Sequence, residues 1–349
     1  MPLISSLGTM NALGFGFSSS PLLVTLFSID ASPAMVAIPF RNGFGTKYAN
    51  PTSPPTGNSR GGVCFNYSNT IAGMSYSVTP YISVYNFSIF NGFGTKYADP
   101  VTLPSAACYS INFNKTGNVL LVSSTNTPYI NAYAWSNGFG TKYANPATLP
   151  AGAGTKCIFN NSDTQVVIGS QSSPYIVAYP WSNGFGTKYS NPASAPADWV
   201  NSVCFNKTDT LLAYSNVITS PFVGVYNWST SGFGTRYANP AVIPQGNGYG
   251  VAFSSTSNQI AVAHTGSPYI TAYPWSAGYG TKYANPTTAV ATTGSANALS
   301  FNKKDNLLII SLSATPFGCA YNWTSSGFGA KYTNPSGLTA QSEDIAVST

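Results

Sequence analysis

The chain has 349 residues, with 33 Gly, 25 Pro, 14% aromatic and 6% charged residues, and a formal net charge of +6. So many aromatics with so few charges exclude a disordered chain and a charged coiled coil. No apolar run approaches the roughly 18 residues of a transmembrane helix, so membrane insertion is not expected. The start, Met1 to Ser6, has no basic stretch and no long apolar one, so no signal peptide is expected either. The cysteines, Cys64, Cys108, Cys157, Cys204 and Cys319, are odd in number and have no close pairs. They read as free buried thiols of a protein made in a reducing cytosol.

In chain order, the first candidate strand is Leu13-Gly-Phe15, within residues 11–17. An apolar stretch follows, and then the phrase Asn42-Gly-Phe-Gly-Thr-Lys-Tyr-Ala-Asn-Pro51. The phrase recurs at 91–100, 137–146, 183–192, 231–240, 277–286 and 326–335, with its first glycine stepping by 49, 46, 46, 48, 46 and 49 residues. A period of about 40 to 50 residues marks a solenoid, a propeller or an array. The interior of each repeat decides among these. In the sixth, Gly250-Val-Ala-Phe-Ser, Gln259-Ile-Ala-Val-Ala, Tyr269-Ile-Thr-Ala-Tyr-Pro-Trp and the phrase itself are split by Gly, Pro, Asn and Ser clusters. Four short strand-like runs without helical periodicity predict one propeller blade. The fold expected is therefore all-β, a seven-bladed β-propeller of four-stranded antiparallel blades, in one domain over 1–349. The repeats fill 1–335 and leave a tail at 336–349.

Within each blade the innermost strand is read from Val63–Phe65, Ile111–Phe113, Cys157–Phe159, Val203–Phe205, Val251–Phe253 and Leu299–Phe301, with Leu13–Phe15 in the first blade. The third strand closes on Phe40, Phe87, Trp135, Trp181, Trp228, Trp275 or Trp323. In one such strand Tyr175, Val177, Tyr179 and Trp181 alternate with Ile176, Ala178 and Pro180. A bulky face then meets a small face of the next blade. The tail offers a second candidate innermost strand for the first blade, since Ile345 aligns with Leu13 and Val347 with Phe15. The N-terminal copy is longer and more apolar, so it is expected in the channel, with the tail outside the ring.

The run Val-Ala-Phe-Ser ending in Ser-Pro-Tyr-Ile-x-Ala-Tyr-Pro-Trp resembles WD repeats, without their closing Asp: Ser182, Ser229, Ser276 and Thr324 stand in its place. With Gly-Phe-Gly-Thr-Lys-Tyr-Ala-Asn-Pro after the Trp, it is similar to WD-like propeller proteins of tailed bacteriophages. That resemblance implies a virion protein made in the host cytoplasm, acting as a rigid disc against other capsid or tail proteins. A receptor-binding or lectin-like propeller that meets a host-surface glycan or protein is the alternative.

The chemistry-bearing residues are few. One histidine, His264, and no Cys-x-x-Cys spacing argue against a metal site or a nucleophilic triad. The eight acids are Asp30, Asp99, Asp163, Asp198, Asp209, Asp305, Glu343 and Asp344, and three of these fall in equivalent turns. No catalytic residue, no cofactor and no enzymatic activity are expected. The phrase has no Gly-Lys-Ser/Thr ending, so it is not a phosphate loop. Its basic residues, Lys47, Lys96, Lys142, Lys188, Arg236, Lys282 and Lys331, are half of all positives. They make the candidate binding feature, a ring with one charge per blade facing an acidic partner. The other reading is that each stem covers aromatic surface while its head stays wet. Isolated charges do not track phosphates, so nucleic acid is not an expected partner. Tyr81, Tyr129, Tyr175, Phe222, Tyr269 and Phe317, at the start of the third strand, either stack on sugars or fill the blade interface.

Overall fold

The computed structural model describes residues 22–55 and 61–348. Among them, seven antiparallel sheets are arranged as the blades of a β-propeller, and no helix occurs. Four blades have four strands, as in Val200–Phe205, Leu211–Asn216, Val223–Ser229 and Gly232–Arg236. In the other three the outer strand is reduced to one bridge, Phe40 to Phe44, Trp181 to Phe185 and Trp275 to Tyr279.

The ring closes through the C-terminus. Ser342–Val347 is the innermost strand of the first blade, antiparallel to Leu23–Ile29, which pairs in turn with Met35–Phe40. It packs between the innermost strands Ala296–Phe301 and Val63–Phe65 of the two flanking blades. Ser348 clamps the end: its N–H donates to Val24 O and its Oγ accepts from Val24 N, both at 2.8 Å. The sequence expectation that residues 344–348 lie outside the ring is therefore wrong. Residues 11–17, the expected occupant, lie outside the described residues. The error has a physical cause. An innermost strand packs alternate residues against its two neighbouring blade interfaces but shows its first residues to the channel mouth, so overall apolarity does not select it. Ile345 is buried beside Phe27 while Glu343 and Asp344 face the channel, the polar/apolar split that this place requires.

Blades adhere through apolar clusters, one at each of the seven interfaces among the described residues. Val177, Tyr179 and Trp181 pack toward the third blade, Ile176 and Ala178 toward the fifth. Tyr175 departs from the expected alternation and joins the Ile176 side. Its φ of +66° reverses the side-chain direction ahead of the strand. Tyr81 and Tyr269 behave in the same way, each packing at a blade interface.

The repeated phrase fastens neighbouring blades. Trp228 is met edge-on by Phe205 of its innermost strand, by Phe233 of its own phrase and by Tyr189 of the preceding phrase, at centroid distances of 5.2, 5.0 and 6.3 Å. The same aromatic cage surrounds Trp135, Trp181, Trp275 and Trp323. Edge-to-face pairs each contribute about 0.5–1.5 kcal/mol beyond area burial. Asparagines set the turn between the first two strands of a blade: Asn114, Asn160 and Asn206 each accept two backbone N–H bonds through Oδ1.

Candidate functional site

At the end of the channel where the innermost strands begin, a cavity of about 230 Å³ opens. Each of six innermost strands carries a β-bulge at this level, between Cys108 and Ser110, Gly154 and Cys157, Val200 and Ser202, Gly248 and Gly250, Ala296 and Ala298, and Ser342 and Asp344. A bulge inserts one residue against the partner strand and re-aims its side chain. The inserted residues include Tyr109, Asn201, Tyr249, Asn297 and Glu343, and all of them line the cavity.

In the fourth blade the same displacement brings Lys156 to the wall. Its Nζ lies 2.7 Å from Asp344 Oδ2, an ion pair across 188 residues of sequence. The Val63 N–H also points at that oxygen, at 3.3 Å. The side chains of Lys156 and Asp344 remain 24% and 14% exposed, so the pair is reachable from solvent. Beside it, Gln341 Nε2 donates to Glu343 Oε1 at 2.6 Å and faces Asp30 Oδ2 at 3.4 Å. Asn201 and Asn297 are oriented by donating Nδ2–H to Tyr249 O and Ser342 O, each at 2.9 Å.

The thiols next to this cluster are inert. Burial pushes Cys64 and Cys157 up to about 12, against smaller lowering effects that include Lys156. All five cysteines are free. Among the described residues no group of three His, Cys, Asp or Glu is placed to hold a metal ion. His264 is fully buried at the end of Gln259–His264, its Nε2 2.9 Å from Thr271 Oγ1, and burial lowers its pKa to about 4.

The basic residues of the phrase lie far out, at the ends of the outer strands or the matching loops. Lys47, Lys142, Lys188 and Lys282 each donate to the Asn three residues on, and Lys96 pairs with Asp99 at 2.7 Å. Arg236 Nε donates to Tyr214 Oη at 2.9 Å, and Lys331 Nζ to Ala289 O at 2.8 Å.

No family model matches the chain, and no curated protein does. Solved structures of similar shape exist. One is a proposed 6-phosphogluconolactonase from Bacteroides fragilis, with TM-score 0.70, 10% identity, and coverage of 94% of this chain and 98% of that one. Another is a proposed 6-phosphogluconolactonase from Bacteroides uniformis, at 0.68 and 10%, covering 93% and 99%. A protein from Lactobacillus plantarum gives 0.73 and 10%, covering 94% and 99%. Such low identity carries the fold alone. Two of the three are nonetheless proposed enzymes, which runs against the expectation of a non-enzymatic virion disc.

Placing the tail outside the ring separates Glu343 and Asp344 from Lys156. Closing the ring with residues 342–347 brings all three to the axis. A signal was present in the repeat. Tyr109, Thr155, Asn201, Tyr249 and Asn297 follow each other by 46, 46, 48 and 48 residues, and a further 46 reaches Glu343.

Proposed function

We propose that this chain is a hydrolase that opens a small polyhydroxylated lactone in the mouth of the propeller channel. The observation that carries this reading is the Lys156–Asp344 pair, a cation and a carboxylate held 2.7 Å apart in a solvent-reachable polar cavity. Opening a lactone needs a base for water and a positive group at the carbonyl oxygen. Asp344 takes a proton from water as the water oxygen bonds to the carbonyl carbon. Lys156 has three N–H donors, so one remains for the developing oxyanion while another holds Asp344. Collapse of the tetrahedral intermediate breaks the ring C–O bond, and the leaving ring oxygen recovers the proton from Asp344. The product is an open hydroxy acid. The bulge residues Asn201, Asn297, Tyr109 and Tyr249 offer amide and phenol groups to the ring hydroxyls. The lactonase names of the similar structures agree with this chemistry.

The test is hydrolysis of an aldonic-acid lactone, followed as acid release above the spontaneous rate. Asp344→Asn keeps the shape and removes the base. It is expected to lower kcat by about 10²-fold or more, the usual scale for a positioned general base, with KM nearly unchanged. Equal kcat in the variant and the parent would reject this assignment.

A further inference from the structure

We infer that the other end of the channel holds a second binding site, one for a small organic dianion, a phosphate monoester or a dicarboxylate. Where the innermost strands end, a cavity of about 370 Å³ opens among the turns that follow them. Side chains from two of these turns converge on a third, at Tyr67 of the second blade, which is 51% exposed. Lys303 of the seventh blade holds its Nζ 4.5 Å from the centroid of the Tyr67 ring, and Lys115 of the third blade holds its Nζ at 5.7 Å. Lys303 thus reaches past the first blade, whose innermost strand packs between those of the seventh and the second. Two ammonium groups gathered at one ring repel each other, and the negative face of the ring offsets part of that repulsion. A bound anion would offset the rest.

The acids of these turns are engaged elsewhere. Asp163 accepts from the backbone N–H groups of Lys115 and Thr116, both at 2.8 Å, and Asp209 and Asp305 hold the turn of the preceding blade in the same way. Among the described residues neither Lys115 nor Lys303 forms an ion pair, and no Asp or Glu lines the cavity. Deeper in, the wall offers neutral polar groups. Asn112 accepts from Phe159 N through Oδ1 at 3.5 Å, which leaves its Nδ2 as a donor. Asn161 donates its Nδ2 to Asn206 O at 2.9 Å, which leaves its Oδ1 as an acceptor. A lysine ammonium binds phosphate or carboxylate oxygens as a point charge, so two of them match two negative charges. The asparagines suit hydroxyl or carbonyl groups on the body of the ligand. The inference does not depend on the hydrolase reading.

The experiment is calorimetry at pH 7.5 and low salt, with glycerol 3-phosphate and succinate as dianions and with glycerol and lactate as controls. At least one dianion is expected to bind about tenfold or more tightly than either control, and which one does so separates phosphate from carboxylate. Lys115→Gln and Lys303→Gln, both on exposed turns, should each weaken that binding about threefold or more, the scale of one partly exposed charge contact. Lys207 holds the same turn position in the fifth blade, and its ammonium lies over no ring among the described residues. Lys207→Gln should leave the affinity unchanged, which separates a site from general attraction to a basic protein. Absence of dianion binding, or a control that binds as tightly, would overturn the inference. So would a loss missing from either the Lys115 or the Lys303 variant, or an equal loss in Lys207→Gln. Lactone turnover enters none of these outcomes, so the two readings stand or fall separately.

Discussion

His264 shows how little its residue type says about its role. It is buried and neutral, hydrogen-bonded to Thr271 and held at a pKa of about 4 by burial, with Lys282 pushing weakly in the same direction. An unfolded chain would protonate it near 6.5. Its contribution to stability is therefore fully present above pH 6.5 and is lost as pH falls toward 4, because the unfolded state then binds the proton that the folded state refuses. Full loss across that window is about 3 kcal/mol. The adjacent blade carries Asn216 at the equivalent strand end. His264→Asn should therefore fold, and urea unfolding at pH 7 and 4.5 should show the parent losing about 2 kcal/mol more than the variant. Equal losses would mean that the imidazole is already hydrated in the fold. At this scale the sequence was silent on Lys156, a lone lysine with no motif around it.

A blade is legible in sequence because its demands repeat. The Trp cage, the Asn turn and the phrase recur wherever the same packing problem recurs. Gly232 illustrates the constraint: its φ is +88°, and a Cβ there would stand 2.8 Å from the Tyr189 ring of the preceding phrase. Gly117 shares a positive φ of +73° but faces open space, and Asp163 and Asp209 hold the same turn position at +58° and +55°. Gly117→Ala should cost about 1 kcal/mol, from backbone alone. Gly232→Ala should cost at least about 2 kcal/mol, since it must also displace a ring that the Trp228 cage uses. Chemical denaturation of the two variants checks the order, and equal costs would remove the ring from the explanation. The bulges are the element-scale feature that the sequence did not disclose. One extra residue in a strand leaves no compositional mark, yet it turns Asn201, Tyr249 and Asn297 into the channel.

The whole molecule depends on one strand that comes from the far end of the chain. Seven blades could be counted from the repeat alone, but which terminus completes the first blade is a question of which strand suits both a blade and a channel. Ile345 answers the first need and Asp344 the second. Ile345→Ala should therefore destabilise the entire propeller by about 2–4 kcal/mol, as expected for a large-to-small change in a core. A shift below about 0.5 kcal/mol in urea unfolding would mean that the C-terminal strand does not close the ring. Closure also makes the site, because it supplies the carboxylate that meets Lys156. The most direct measurement is a crystal structure of the protein with a non-hydrolysable lactam analogue of a sugar lactone. The analogue's carbonyl oxygen should lie within hydrogen-bonding distance of Lys156 Nζ, with Asp344 beside the carbonyl carbon. A mouth left empty at saturating analogue, or an analogue bound only among the outer-strand lysines, would contradict the account.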